Sequence, residues 1–174
     1  TNTSHHYSQK SEQAVSPEWF KQSKNQLRQN HFLFKIRRPR DHRLVLLTRM
    51  ASDNLLEKAD WSCLNKVNYD ESFLKWVTEA YNFTFDTEKV KEVFDMTPHR
   101  LESESGSNYH DVSAWTDSHP EAYKNAYFYV CTETYVQGEH KSLTEKVFKP
   151  IINFQPFLFV AYPGALKLLK DLGF

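Results

Sequence analysis

Two charged clusters in this chain have residue types suited to holding an anion. One is Arg37-Arg38-Pro39-Arg40-Asp41-His42-Arg43, directly after the apolar run Phe32-Leu33-Phe34-Lys35-Ile36. The other is Ser142-Leu143-Thr144-Glu145-Lys146, which opens a helical pattern leading through Gln155-Pro156 into Phe157-Leu158-Phe159-Val160. Arginine and lysine bind phosphate oxygens through charge-assisted hydrogen bonds, and the free amides at the start of a helix add to them. In an α/β protein, such strand-to-helix junctions are where an anionic ligand such as a nucleoside diphosphate is expected.

The chain has only four glycines, and neither G-x-G-x-x-G nor G-x-x-x-x-G-K-[ST] occurs. Any phosphate must therefore be held by cationic side chains and helix amides, because no glycine-lined cradle exists. Local physics leaves alternatives open at each position. Ser142 and Glu145 fit the S-x-x-E capping box, in which the glutamate only returns to the cap amide. Lys146 opposes the dipole of the helix it opens, which is unfavourable unless an anion lies nearby. Lys149 reads as a solvated charge. Pro150 removes an amide from the same helix. Glu133, at the end of Phe128-Tyr129-Val130-Cys131-Thr132, is placed either to face a ligand or to bond a loop backbone. The arginine run also fits a nucleic-acid contact, or a nuclear-type basic segment.

Other chemistries find little support. The eight histidines show no metal-ligand spacing, so no metal site is expected. There is no G-x-S-x-G elbow, and neither Cys63 nor Cys131 has a histidine partner in sequence. Both cysteines sit in apolar segments and read as reduced, buried thiols, which suits a cytoplasmic compartment. The Asn-x-Ser/Thr triplets at Asn2 and Asn82 are short enough to arise by chance. With 22 basic and 22 acidic side chains the formal charge is zero, which disfavours a general nucleic-acid or membrane-surface binder. No apolar run is long enough for a membrane span.

The elements that must position these residues can be read from periodicity. Residues 1–15 are polar, and Ser16-Pro17-Glu18 opens a helix expected to reach about residue 29. Strands are expected at 31–36, 60–64, 126–132 and 156–161. Helices are expected from 41 onward, with Leu44, Leu47, Met50 and Leu55 near one face, and at 71–81, 87–94 and 143–154. A short helix is expected from Pro120, and a last one from Pro163-Gly164 through Leu166, Leu169 and Leu172. Residues 96–119 have loop chemistry. Continuously apolar strands alternating with helices predict an α/β, Rossmann-like parallel sheet with helices on both faces. The domain reading is a polar segment and helix over 1–30, then one Rossmann-like domain over 31–174. The final helical pattern at the chain end reads as a fragment.

These residues resemble a known family. Thr144-Glu145-Lys146-Val147-Phe148 is similar to the T-E-K-hydrophobic-F segment of the nucleotide-sugar-binding domain in α-1,3-fucosyltransferase-like and exostosin-like glycosyltransferases. Gln155-Pro156-Phe157 resembles the step into their next strand, and Phe128 to Thr134 resembles F-x-F-E-N-S, with Thr134 in place of Asn. The stretch from Phe32 to Arg43 is similar to the first strand and loop of bacterial and phage relatives. This resemblance implies the C-terminal half of a GT-B fold that binds a nucleoside-diphosphate sugar, GDP- or UDP-linked, and transfers the sugar to a glycan or other hydroxyl acceptor without a metal. It implies a donor site formed by Arg37, Arg38, Arg43, Glu133, Thr144, Glu145 and Lys146, with Glu145 on the ribose and Lys146 on the diphosphate. The general base would lie outside this fragment. The alternatives are a nucleic-acid module acting through Arg37 to Arg43, and a structural Rossmann-like domain.

Overall fold

The computed structural model describes residues 17–23, 25–101, 120–137 and 142–174. Four strands form one parallel sheet in the order β2-β1-β3-β4, where β1 is Asn30–Ile36, β2 Ala59–Cys63, β3 Ala126–Thr132 and β4 Phe157–Val160. Among the described residues there are seven α-helices: α1 (Pro17–Ser23), α2 (Asp41–Ser52), α3 (Glu71–Tyr81), α4 (Thr87–Met96), α5 (Pro120–Asn125), α6 (Glu145–Ile152) and α7 (Ala165–Asp171). The fold is α/β and Rossmann-like, as the apolar strands predict.

The chain divides into two compact units. One is Phe34–Leu101, and the other takes the described residues up to Leu33 with those from Pro120 onward.

In the unit Phe34–Leu101, the core is Phe34, Ile36, Leu47, Val77, Val90 and Phe94, all nearly fully buried. The helices are bounded by the residues that physics favours there. Asp70 caps α3 by accepting from the Ser72 amide at 2.8 Å, and Asp86 caps α4 by accepting from the Lys89 amide at 3.2 Å. Asn82 ends α3 in the left-handed conformation, φ 49°, which asparagine tolerates better than most residues. Lys66 Nζ donates to the carbonyls of Phe94 and Asp95, at 3.2 and 3.1 Å, where α4 leaves acceptors unfilled. After β2, Cys63 and His99 exchange backbone hydrogen bonds in an isolated antiparallel bridge, with the His99 ring 4.2 Å from that of Trp61. Thr97 is buried with its hydroxyl fully used: it donates to the Phe94 carbonyl at 2.6 Å and accepts from the Val67 amide at 2.8 Å.

In the other unit, α5 runs directly into β3, and the ring of buried Tyr123 stacks on that of Tyr129 at 5.5 Å. Strands β3 and β4 run parallel, pairing Tyr129 with Phe157 through Thr132 with Val160. The Glu133 amide donates to the Val160 carbonyl at 2.9 Å, so the ladder reaches one residue past β3. At the opposite end of β3, Arg28 fastens the preceding chain. Its amide donates to the Tyr127 hydroxyl, and its guanidinium donates to the Ala126 carbonyl and to Gln155 Oε1 at 3.1 Å. Gln155 Nε2 donates to the same carbonyl at 2.6 Å.

Several boundaries differ from the sequence reading. Helix α1 stops at Ser23 instead of residue 29, and Arg28 then serves the start of β3. Leu55 is not on the face of α2; Asn54 at φ 58° turns the chain into a 3-10 turn, Leu55–Lys58, that leaves Leu55 exposed. The helix expected over 143–154 is Glu145–Ile152, because Thr144 caps it and Phe154 takes a positive φ of 51°. Apolar cover is incomplete at the β4 edge, where Leu158 is 50% exposed and Phe128 on β3 43%. Both cysteines are buried free thiols. Residues 102–119, the Asn2 triplet and residues 138–141 lie outside the described residues.

Replacing Thr97 by Val keeps the shape but leaves the buried Val67 amide without its acceptor. We expect a stability loss of about 1–3 kcal/mol in urea denaturation. A loss near zero would show that this hydroxyl does not matter.

Candidate functional site

The site is built on the step from β3 to α6. Strand β3 ends at Thr132, and Glu133 follows with its side chain completely buried. A carboxylate taken from water is costly unless its oxygens are hydrogen-bonded. Here Oε2 accepts from the Thr134 amide at 3.1 Å, Oε1 from the Thr144 amide at 3.0 Å, and the Thr144 hydroxyl also donates to Oε2. Glu133 thus bonds the loop backbone, the second of the two roles open to it from sequence. In doing so it ties the end of β3 to the start of α6.

Thr144 then serves as the helix cap. Its Oγ1 accepts from the Lys146 amide at 3.4 Å and from Lys146 Nζ at 3.3 Å. This corrects the capping-box reading: Ser142 is exposed and lies before the cap, two residues too early. Threonine directly before an acidic first turn carried the right signal, since it is itself a favoured cap.

Lys146 resolves the conflict with the helix dipole internally. Its ammonium lies 2.7 Å from Glu145 Oε1, with both side chains part-buried. For the Glu145 carboxyl, burial opposes the charged form. The Lys146 hydrogen bond and charge, a backbone hydrogen bond and the charge of Lys149 outweigh it, holding the group below its ordinary value of 4.5. The first turn of α6 therefore presents an ammonium, a carboxylate and a hydroxyl together.

The arginines are placed differently. Arg37 and Arg38 have exposed side chains in the turn after β1, whereas Arg43 lies on α2 and is buried. Its Nη1 donates to the Arg38 carbonyl at 3.1 Å, closing the turn that precedes its own helix. All three belong to the unit Phe34–Leu101. Glu133, Thr144, Glu145 and Lys146 belong to the other unit, where they form one hydrogen-bonded group. Arg28, which with Gln155 fixes the far end of β3, was not singled out from sequence, and Gln155 was read only as the step into the last strand. Each is polar and flanks an apolar stretch without a periodic pattern to mark it. Among the described residues, no group of three or more His, Cys, Asp or Glu is placed to hold a metal ion.

No family model, no curated protein and no solved structure matches the chain.

Thr144→Val removes both the cap acceptor and the donor to buried Glu133, and should cost about 1–3 kcal/mol in urea denaturation. Thr144→Ser should retain most of that stability; an equal loss in both variants would contradict the hydroxyl's role. Glu145 gives a pH-dependent test. Because its folded pKa is depressed, its contribution is present above the unfolded value and lost as pH falls through the folded one. Glu145→Gln should therefore melt below wild type at neutral pH, with the gap closing under acidic conditions. A gap independent of pH would exclude the ion pair as its source.

Proposed function

We propose that the first turn of α6 binds the diphosphate of a nucleoside-diphosphate sugar, and that the chain is the donor-binding domain of a GT-B-type glycosyltransferase. The observation that carries this reading is the Thr144-Glu145-Lys146 group, held by buried Glu133 at a parallel strand's carboxyl end. The similarity of the same segment to the T-E-K segment of fucosyltransferase-like and exostosin-like enzymes supports it.

The chemistry proceeds from the ion pair. Lys146 is already desolvated in part and needs only to exchange one anion for another. As a diphosphate arrives, the ammonium passes from the Glu145 carboxylate to a phosphate oxygen. The helix amides face the same charge. Glu145, released from Lys146, accepts hydrogen bonds from the ribose hydroxyls. When the bond between the sugar's anomeric carbon and the diphosphate oxygen breaks, its electron pair stays on that oxygen. A fixed cation beside it stabilises the developing charge. The acceptor hydroxyl's oxygen forms the new bond to the anomeric carbon. Its proton goes to a general base that the described residues do not supply in this group.

Thermal-shift and calorimetric titrations with GDP, UDP, ADP and CMP test the reading. At least one diphosphate should stabilise the protein, by about 2.7 kcal/mol at a hundredfold excess over its Kd, and more than CMP does. Lys146→Ala should weaken that ligand by about tenfold or more, the scale of one lost charge-assisted contact. No stabilisation by any nucleotide would sink the donor-site reading; binding indifferent to Lys146 would remove this residue from it.

A further inference from the structure

The unit Phe34–Leu101 carries a second surface with its own chemistry. An open cavity of about 460 Å³ is lined by Arg49, Asp53, Thr78, Asn82, Phe83 and Thr84. Its polar groups are fixed by local structure. Arg49 Nε donates at 2.6 Å to Oδ2 of Asp53, the residue just past the end of α2, and the guanidinium lies 5.0 Å from the centre of the Phe83 ring. The loop carrying Phe83 and Thr84 is tied down where the Asp86 amide donates to Ser52 Oγ at 2.9 Å. Asn82 presents its side chain from the left-handed cap of α3 and is exposed, as is Thr84.

Beside this cavity the aromatic rings form a continuous series. Phe73 and Trp76 are 5.8 Å apart, Trp76 and Tyr81 6.1 Å, Tyr81 and Phe83 6.0 Å, and Phe83 and Phe85 4.6 Å. The inward face of α3 is already satisfied by buried Leu74 and Val77, while Trp76 and Tyr81 remain 44% and 47% exposed. Two half-exposed aromatic rings next to amide, hydroxyl, carboxylate and guanidinium groups offer two kinds of contact at once. Ring faces stack on apolar C–H surfaces, and planar polar groups exchange hydrogen bonds with hydroxyls.

The charge selects among ligands that stack. Arg49 is paired with Asp53, Lys89 Nζ lies 3.5 Å from Asp86, and Lys75 Nζ lies 4.0 Å from Glu79. A single-stranded nucleic acid needs a cationic track for its phosphates, and the cations here have acidic neighbours. We infer that this surface binds a neutral oligosaccharide, with Trp76 stacking on a sugar ring, Tyr81 set perpendicular to it at 87° as an edge of the platform, and Asn82, Asp53 and Arg49 bonding the sugar hydroxyls. It goes beyond the donor-site reading and does not depend on Lys146.

The test is calorimetric titration, with tryptophan fluorescence, using maltohexaose, cellohexaose and chitohexaose on the intact chain. At least one should bind with a millimolar or tighter Kd. Trp76→Ala and Asn82→Ala should each weaken it by about tenfold, near the energy of a stacked or hydrogen-bonded contact, while Trp76→Tyr retains binding and Lys146→Ala leaves it unchanged. Trp76 is exposed enough for its truncation to leave the fold intact, which the melting curve checks. The inference is overturned if none of the three binds, if binding is insensitive to Trp76 and Asn82, or if oligothymidylate binds more tightly than every sugar.

Discussion

The buried carboxylate of Glu133 is the constraint on which the candidate site depends. It stands where β3 ends, completely removed from water, and is satisfied by two amides and a hydroxyl from the loop and the start of α6. Removing one partner from such a group is expensive, because a buried acceptor is then left unsatisfied. Thr144 therefore has little freedom. With Thr144 fixed, the first turn of α6 is fixed, and so are the positions from which Glu145 and Lys146 project. The order runs from a strand end, to a buried acceptor, to a cap, to an ion pair.

That order changes the meaning of the charges in the first turn. A lysine opening a helix is unfavourable by itself, yet Lys146 is neutralised by its own neighbour at 2.7 Å. The pair forms within the chain itself, and under the donor-site proposal it exchanges partners when a diphosphate arrives. An anion that replaces the Glu145 carboxylate meets a cation and the positive end of a helix. The donor-site proposal rests on this property and on the resemblance of the segment to a glycosyltransferase motif.

The fold was legible where patterns are strong. Six apolar or aromatic residues in a row, followed by Thr132, set β3 at Ala126–Thr132, and the amphipathic repeat set α3 at Glu71–Tyr81. Asp70 and Asp86, not singled out from sequence, cap α3 and α4. Legibility failed where a long-range contact decides. The reach of α1 to about residue 29 was read from its start signal and local pattern, but Arg28 is drawn to the Ala126 carbonyl and Gln155 far along the chain. The cap of α6 went to Thr144 over Ser142 because Glu133, eleven residues earlier, holds the threonine. Glu133 itself could not be decided from sequence, since a ligand-facing and a loop-bonding carboxylate look alike until the loop's path is known. The aromatic series along Trp76, Tyr81 and Phe83 was hidden because helix periodicity accounts for Leu74 and Val77 and is silent about rings left outside.

The most direct measurement of the donor-site claim is a two-dimensional amide NMR titration with GDP and with UDP. The predicted result is that one of them shifts the Thr144, Glu145 and Lys146 amides most, together with that of Glu133 behind them. Saturable shifts centred elsewhere, or none at these four residues, would contradict the claim.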